Sequence, residues 1–81
     1  MGGELRMNQK LMDRKRVLKL SPREEEVFQG LLAGEKMKDI AKELGIKTST
    51  VCGYCREIYR ELEVNSKAKL ILRYSKYRTR N

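Results

Sequence analysis

The chain has no histidine and no tryptophan, a single proline, and only two cysteines. Nor does it contain an apolar run approaching the roughly 18 residues that a membrane span requires. Each shortage excludes something. Without histidine, the commonest general base and metal ligand at neutral pH is missing. Two thiols fall short of the four ligands of a structural zinc site, so no metal or other cofactor is expected. Two cysteines with no visible secretory signal fit a reducing compartment, which predicts a soluble, cytoplasmic protein with no membrane partner.

What is present is positive charge, unevenly spread. The 81 residues carry a net charge of +8. Residues 1–19 hold six Lys/Arg against two Asp/Glu, residues 20–65 hold seven against nine, and residues 66–81 hold six against none. The field therefore sits at the two ends around a near-neutral centre, an arrangement that favours a polyanion, nucleic acid before an acidic membrane surface. A chain this short makes one small domain that buries only about 60% of its unfolded surface, and oligomerisation is a natural supplement to its stability.

The first 19 residues are the least patterned. Met7, Leu11 and Leu18 share a helical face, but Gly2, Gly3, Asn8 and the run Arg14-Lys15-Arg16 dilute it. A basic arm, partly ordered, is the preferred reading, with a loosely attached helix as the other. Ser21-Pro22-Arg23-Glu24 then reads as an N-cap, a first-turn proline and a capping box. The acidic cluster Glu24-Glu25-Glu26 belongs at the positive end of that helix. Val27, Phe28, Leu31 and Leu32 form its buried stripe, and Gly30 within the stripe points to close approach by another helix. Gly34 ends it.

The centre, Asp39 to Glu61, reads as helix, tight turn, helix. Met37, Ile40, Ala41 and Leu44 share one face, Gly45 stops the first helix with positive φ, and Ile46 plugs the corner. Thr48, Ser49 and Thr50 offer hydroxyls to cap the second helix, whose buried face is Val51, Cys55, Ile58 and Leu62. Its opposite face carries Ser49, Gly53, Arg56 and Arg60, small and basic, as a helix laid in a DNA groove requires. Asn65 or Ser66 caps a last helix with Leu70, Ile71 and Tyr74 on its apolar side, Lys67, Lys69, Arg73 and Lys76 exposed, and a frayed tail from Tyr77. The apolar surface of Leu70, Ile71 and Tyr74 exceeds what a three-helix core needs, which predicts an isologous contact with a second copy. No strand, repeat or second domain is visible, so the expected fold is all-α.

Four blocks carry a family resemblance: L-S-P-R-E-E-E-V-F at 20–28, D-I-A-K-E-L-G-I at 39–46, T-S-T-V at 48–51 and I-Y-R-E-L-E-V-N-S-K-A-K-L at 58–70. Together they resemble the LuxR-type, GerE-like DNA-binding domain over about Leu20 to Leu72, in the format of its small stand-alone members. The resemblance implies a four-helix helix-turn-helix domain over residues 20–76, between a basic arm at 1–19 and a basic tail at 77–81. It implies that the third helix, about 48–62, reads the major groove of double-stranded DNA, and that the fourth, about 66–76, pairs two subunits. By position the base contacts fall on Cys52, Gly53 and Arg56, and the phosphate contacts on Lys47, Thr48, Thr50 and Tyr54. Cys52 and Gly53 stand where family members usually carry a Lys or Arg and a larger residue. Lys36 replaces a capping Ser or Thr, and Glu63 replaces a helix-ending glycine.

The function implied is a non-enzymatic, sequence-specific transcriptional regulator, with RNA polymerase as a further partner. Two other readings compete: a module like sigma-factor region 4, or an adaptor that binds the transcription machinery through its charged ends. A third is weaker. Cys52-Gly53-Tyr54-Cys55 has the spacing of a thioredoxin-like dithiol, but that site needs a βαβ frame that this chain does not show.

Overall fold

The computed structural model describes residues 11–79, which form five α-helices and no strand. These are α1 (residues 11–18), α2 (Pro22–Leu32), α3 (Met37–Leu44), α4 (Thr48–Leu62) and α5 (Lys67–Tyr74), followed by a 3-10 turn at Ser75–Tyr77. The all-α expectation holds.

Helix α2 starts as its sequence requires. The Ser21 hydroxyl accepts from the Glu24 amide at 3.2 Å, and the Glu24 carboxylate accepts from the Ser21 amide at 2.9 Å. Two donors that a helix start would leave open are thereby satisfied. Val27, Phe28, Leu31 and Leu32 then enter the core, where they meet Ile40 and Ala41 of α3, Val51, Cys55, Ile58 and Leu62 of α4, and Leu70 and Tyr74 of α5. Gly30 is the point of closest approach. A Cβ there would lie 2.9 Å from Ile40 Cγ1 and 2.9 Å from Glu35 Oε1, closer than real Cβ contacts come.

Three features depart from the sequence reading. First, residues 11–18 are helical, and the face that docks is not the one marked by the leucines. Leu11 and Leu18 are 57% and 74% exposed, while Asp13 is 5% exposed. Asp13 Oδ1 lies 2.6 Å from Arg73 Nη2 and 3.3 Å from Arg16 Nη1, and Arg16 Nη2 reaches Glu63 Oε2 at 2.9 Å. Arg73, expected to be exposed, is instead partly buried and half of an ion pair. Met7 lies outside the described residues. Second, the tail is pinned through Thr79. The buried Gln29 amide donates to the Tyr77 carbonyl at 2.9 Å, and its oxygen accepts from the Thr79 amide at 2.8 Å.

Third, Leu70 and Tyr74, assigned above to a subunit contact, have no exposed surface. They complete the core of the single chain. The Tyr74 ring meets Phe28 edge-on at 6.2 Å, and its hydroxyl donates to the Leu62 carbonyl at 2.9 Å, with Asp13 Oδ1 at 3.2 Å as the competing acceptor. Ile71 is half-buried, and the large apolar residue turned outward on α5 is Leu72, 85% exposed. A helical period separates inside from outside, but it does not say whether the inside of a short helix faces its own core or a partner.

Candidate nucleic-acid interface

The α3–α4 unit is fixed by its turn. Gly45 takes φ +70°, and the Ile46 amide bonds back to the Ala41 carbonyl at 3.0 Å, a Schellman closure that satisfies the end of α3. Ile46 packs against the core margin together with Met37 and Leu44, so the angle between the two helices is set by apolar contact on both sides of the glycine.

Helix α4 is divided cleanly. Val51, Cys55, Ile58 and Leu62 are at most 2% exposed. Ser49, Gly53, Arg56 and Arg60 are all exposed on the opposite side. Nothing lies within 4 Å of a Cβ built on Gly53, so that stretch of the helix surface is open backbone. Glu57, next to Arg56 in the chain, is ion-paired with Arg60 at 2.7 Å. Among the described residues no ion pair engages Arg56. It is a long, exposed donor in the middle of the stripe.

The start of α4 differs from expectation. Thr48, Ser49 and Thr50 do not cap the helix, because they already occupy its first turn; the N-cap is Lys47, with extended backbone and no side-chain hydrogen bond. All four residues are exposed. The result is an uncapped positive helix end ringed by one cation and three hydroxyls, a ready site for a phosphate.

Cys52 and Tyr54 sit on the two flanks of the stripe, both half-buried. The Cys52 thiol donates to the Met37 thioether at 3.5 Å, so it leans along α3, while Tyr54 packs at the core margin. Both cysteines are free. Burial pushes the Cys55 thiol up, the neighbouring Cys52 adds to the rise, and Lys67 opposes it. A buried thiol held protonated is a poor nucleophile. The described residues hold no cluster of three or more His, Cys, Asp or Glu that could bind a metal, and no helix long and apolar enough to cross a membrane.

Lys47, Thr48, Ser49, Thr50, Gly53, Arg56 and Arg60 thus share one exposed surface, with Cys52 and Tyr54 at its edges. Sequence reasoning missed the element next to it. Lys15 of α1 and Lys19 of the turn that follows it line one shallow cleft with Arg60 and Glu61 of α4. The signal was Asp13, the only acid in the basic run from Lys10 to Lys19, whose partner stands 60 residues away at Arg73.

A helix-turn-helix with an open, basic outer face on its second helix defines a class of DNA-binding domain. Residues 18–74 match the family described as bacterial regulatory proteins, luxR family. The chain is 39% identical over 56 residues to the transcriptional regulatory protein FixJ of Bradyrhizobium diazoefficiens, covering 69% of this chain and 27% of that one. It is 41% identical over 54 residues to the transcriptional regulatory protein DesR of Bacillus subtilis, covering 67% of this chain and 27% of the relative. The HTH-type regulator YhjB of Escherichia coli, described as putative, is 39% identical over 57 residues, or 70% of this chain and 28% of its own length. The chain spans about a quarter of the length of these relatives. No solved structure matches it. The chain belongs to the LuxR family of bacterial regulatory proteins, a class of DNA-binding transcription regulators rather than enzymes.

Proposed function

We propose that the chain binds double-stranded DNA sequence-specifically, with α4 in the major groove. The observation that carries this is the α4 stripe itself: Arg56 exposed and unpaired among the described residues, beside open backbone at Gly53 and below an uncapped, hydroxyl-rich helix end. Arg56 has the reach and the fork to meet guanine O6 and N7. Lys47, Thr48, Ser49 and Thr50 take the adjacent phosphates, and the exposed Arg60 extends the positive stripe beyond the groove. Cys52, leaning on Met37, and Gly53 supply few polar groups to the base edges. Apolar contact and DNA shape then carry a larger share of the specificity than in a helix lined with long donors.

The same reading includes a homodimer, now through the outward side of α5. Leu72 lines a groove with Val64, Asn65 and Lys69, exposed apolar surface of the kind that a second copy buries. A two-fold contact there sets two copies of α4 toward successive major grooves, with half-sites about one helical turn apart. No described residue distinguishes a polymerase-binding surface, and the reading does not extend to that partner. Selection of bound sites from a random duplex pool tests the proposal. An enriched inverted repeat supports it; binding with no enriched sequence contradicts it.

A further inference from the structure

Helix α1 is held to the domain mainly by ion pairs. Its inward side chains are Asp13, Arg16 and Val17. Asp13 is clamped by Arg73 at 2.6 Å, Arg16 spans from Asp13 to Glu63, and Val17 packs on the core margin. That anchoring turns Arg14, Lys15 and Lys19 outward, all exposed. It also brings Lys15 and Lys19 to the cleft beside Arg60, the last residue of the outward α4 stripe. Two of the acids nearby are already neutralised, Glu57 by Arg60 and Glu63 by Arg16. Of the two acids that line that cleft, Glu63 is taken by Arg16, which leaves Glu61 beside Lys15 and Lys19. The family match begins at residue 18, so it takes in Lys19 but leaves Lys15 and all of α1 before Leu18 outside it.

We infer that α1 and the turn after it form a second DNA-contacting element: Lys15 and Lys19 bind backbone phosphates beside the base pairs that α4 reads. This rests on the α4 reading above. The chemistry is that of a point-charge clamp. Lysine ammonium groups continue the positive surface past the end of the recognition helix, where no base edge is within reach, and add affinity without adding sequence preference. The buried Asp13 gives the clamp its register. An ion pair inside the domain fixes the angle of α1, so the two lysines arrive as a set rather than as a loose tail.

The experiment titrates the wild type and Lys15→Gln/Lys19→Gln against a duplex carrying one selected half-site with ten extra base pairs on each side, from 50 to 200 mM salt. Two phosphate contacts contribute about 1.8 to the slope of log K on log salt, so that fourfold rise weakens the double variant about twelvefold less than the wild type. Base preference stays the same, and the hydroxyl-radical footprint shortens on one flank. An unchanged slope with an unchanged footprint overturns the inference and leaves the α4 reading standing. A changed base preference overturns it as well, because the lysines would then be readers. If the wild type binds no duplex at all, both readings fall together. Both lysines are exposed, so the substitutions leave the core untouched.

Discussion

Glu63 stands in the left-handed backbone region, at φ +56°, and its carboxylate meets Arg16 of α1 at 2.9 Å. It is the only non-glycine residue among those described with positive φ, and it closes α4 where a glycine usually serves. The Val64 amide bonds back to the Tyr59 carbonyl at 3.0 Å, so the turn itself is the ordinary one. What the side chain adds is a tether for α1, and that tether adjoins the Asp13–Arg73 pair. The departure from glycine is thus matched to the helix that precedes the family domain.

Replacing Glu63 by Gly weighs the two effects against each other. Left-handed backbone costs a residue with a Cβ about 1–2 kcal/mol, while an exposed ion pair contributes about 0–1 kcal/mol. The variant should be as stable as the wild type or more stable by up to about 2 kcal/mol in urea melts, with α1 less protected in hydrogen exchange. A clear loss of stability would mean that the tether outweighs the strain.

Two glycines on helices should respond in opposite directions. Gly30→Ala places a methyl against Ile40 and should destabilise by about 1–3 kcal/mol, more than the gain of about 1 kcal/mol in helix propensity. Gly53→Ala meets open space and should stabilise by up to about 1 kcal/mol. If Gly53 lies against the bases, the same change lowers DNA affinity. Thermal melts and one binding titration separate these effects, and equal melting shifts would refute the packing account.

The Tyr74 hydroxyl gives an alkaline signature. Burial, then the nearby Asp13 charge, pushes its pKa from 10.0 to about 12. The folded state therefore keeps a proton that the unfolded chain releases between those values. Stability is full below pH 10 and falls as pH rises toward 12, by up to about 1.4 kcal/mol per pH unit. Tyr59, also raised by burial, adds to the fall. In Tyr74→Phe the slope above pH 10 should flatten, at the expense of the hydrogen bond to Leu62. A slope that does not change would show that the phenol titrates without coupling to folding.

Much of this was legible in the chain, and what was not has physical reasons. The capping box at Ser21, the stop at Gly45 and the division of α4 are local, and a period of 3.6 residues with one special backbone position specifies them. Gly30 within an apolar stripe marks a close approach, without naming Ile40 as the neighbour. The Asp13–Arg73 pair joins residues 60 apart through charge, which leaves no periodic trace. Gln29, holding the tail at Tyr77 and Thr79, is a polar residue satisfied inside the domain, and a lone glutamine on a helix carries no periodic sign of burial. The α4 cap failed for a subtler reason: one residue of register separates a hydroxyl at the N-cap from one in the first turn.

The proposed subunit contact rests on Leu72 rather than on Leu70 or Tyr74. Leu72→Glu should leave helix content and melting within about 0.5 kcal/mol of wild type, because it is a surface change. It should abolish cooperative filling of paired half-sites. Leu70→Glu, by contrast, buries a charge in the core and should unfold the domain. Cooperative binding that survives Leu72→Glu would move the dimer face elsewhere.

The central claim is that the outer face of α4 reads base pairs, and Arg56 tests it most directly. Once a preferred duplex is in hand, the affinities of wild type and Arg56→Ala are measured for that site and for every single-base-pair change within it. The account predicts a loss of about 1–3 kcal/mol on the preferred site and relaxed discrimination at one base pair, with the others unchanged. The same ranking of sites in both proteins, or an equal loss on all of them, would make Arg56 a phosphate or solvent residue and contradict the reading of α4.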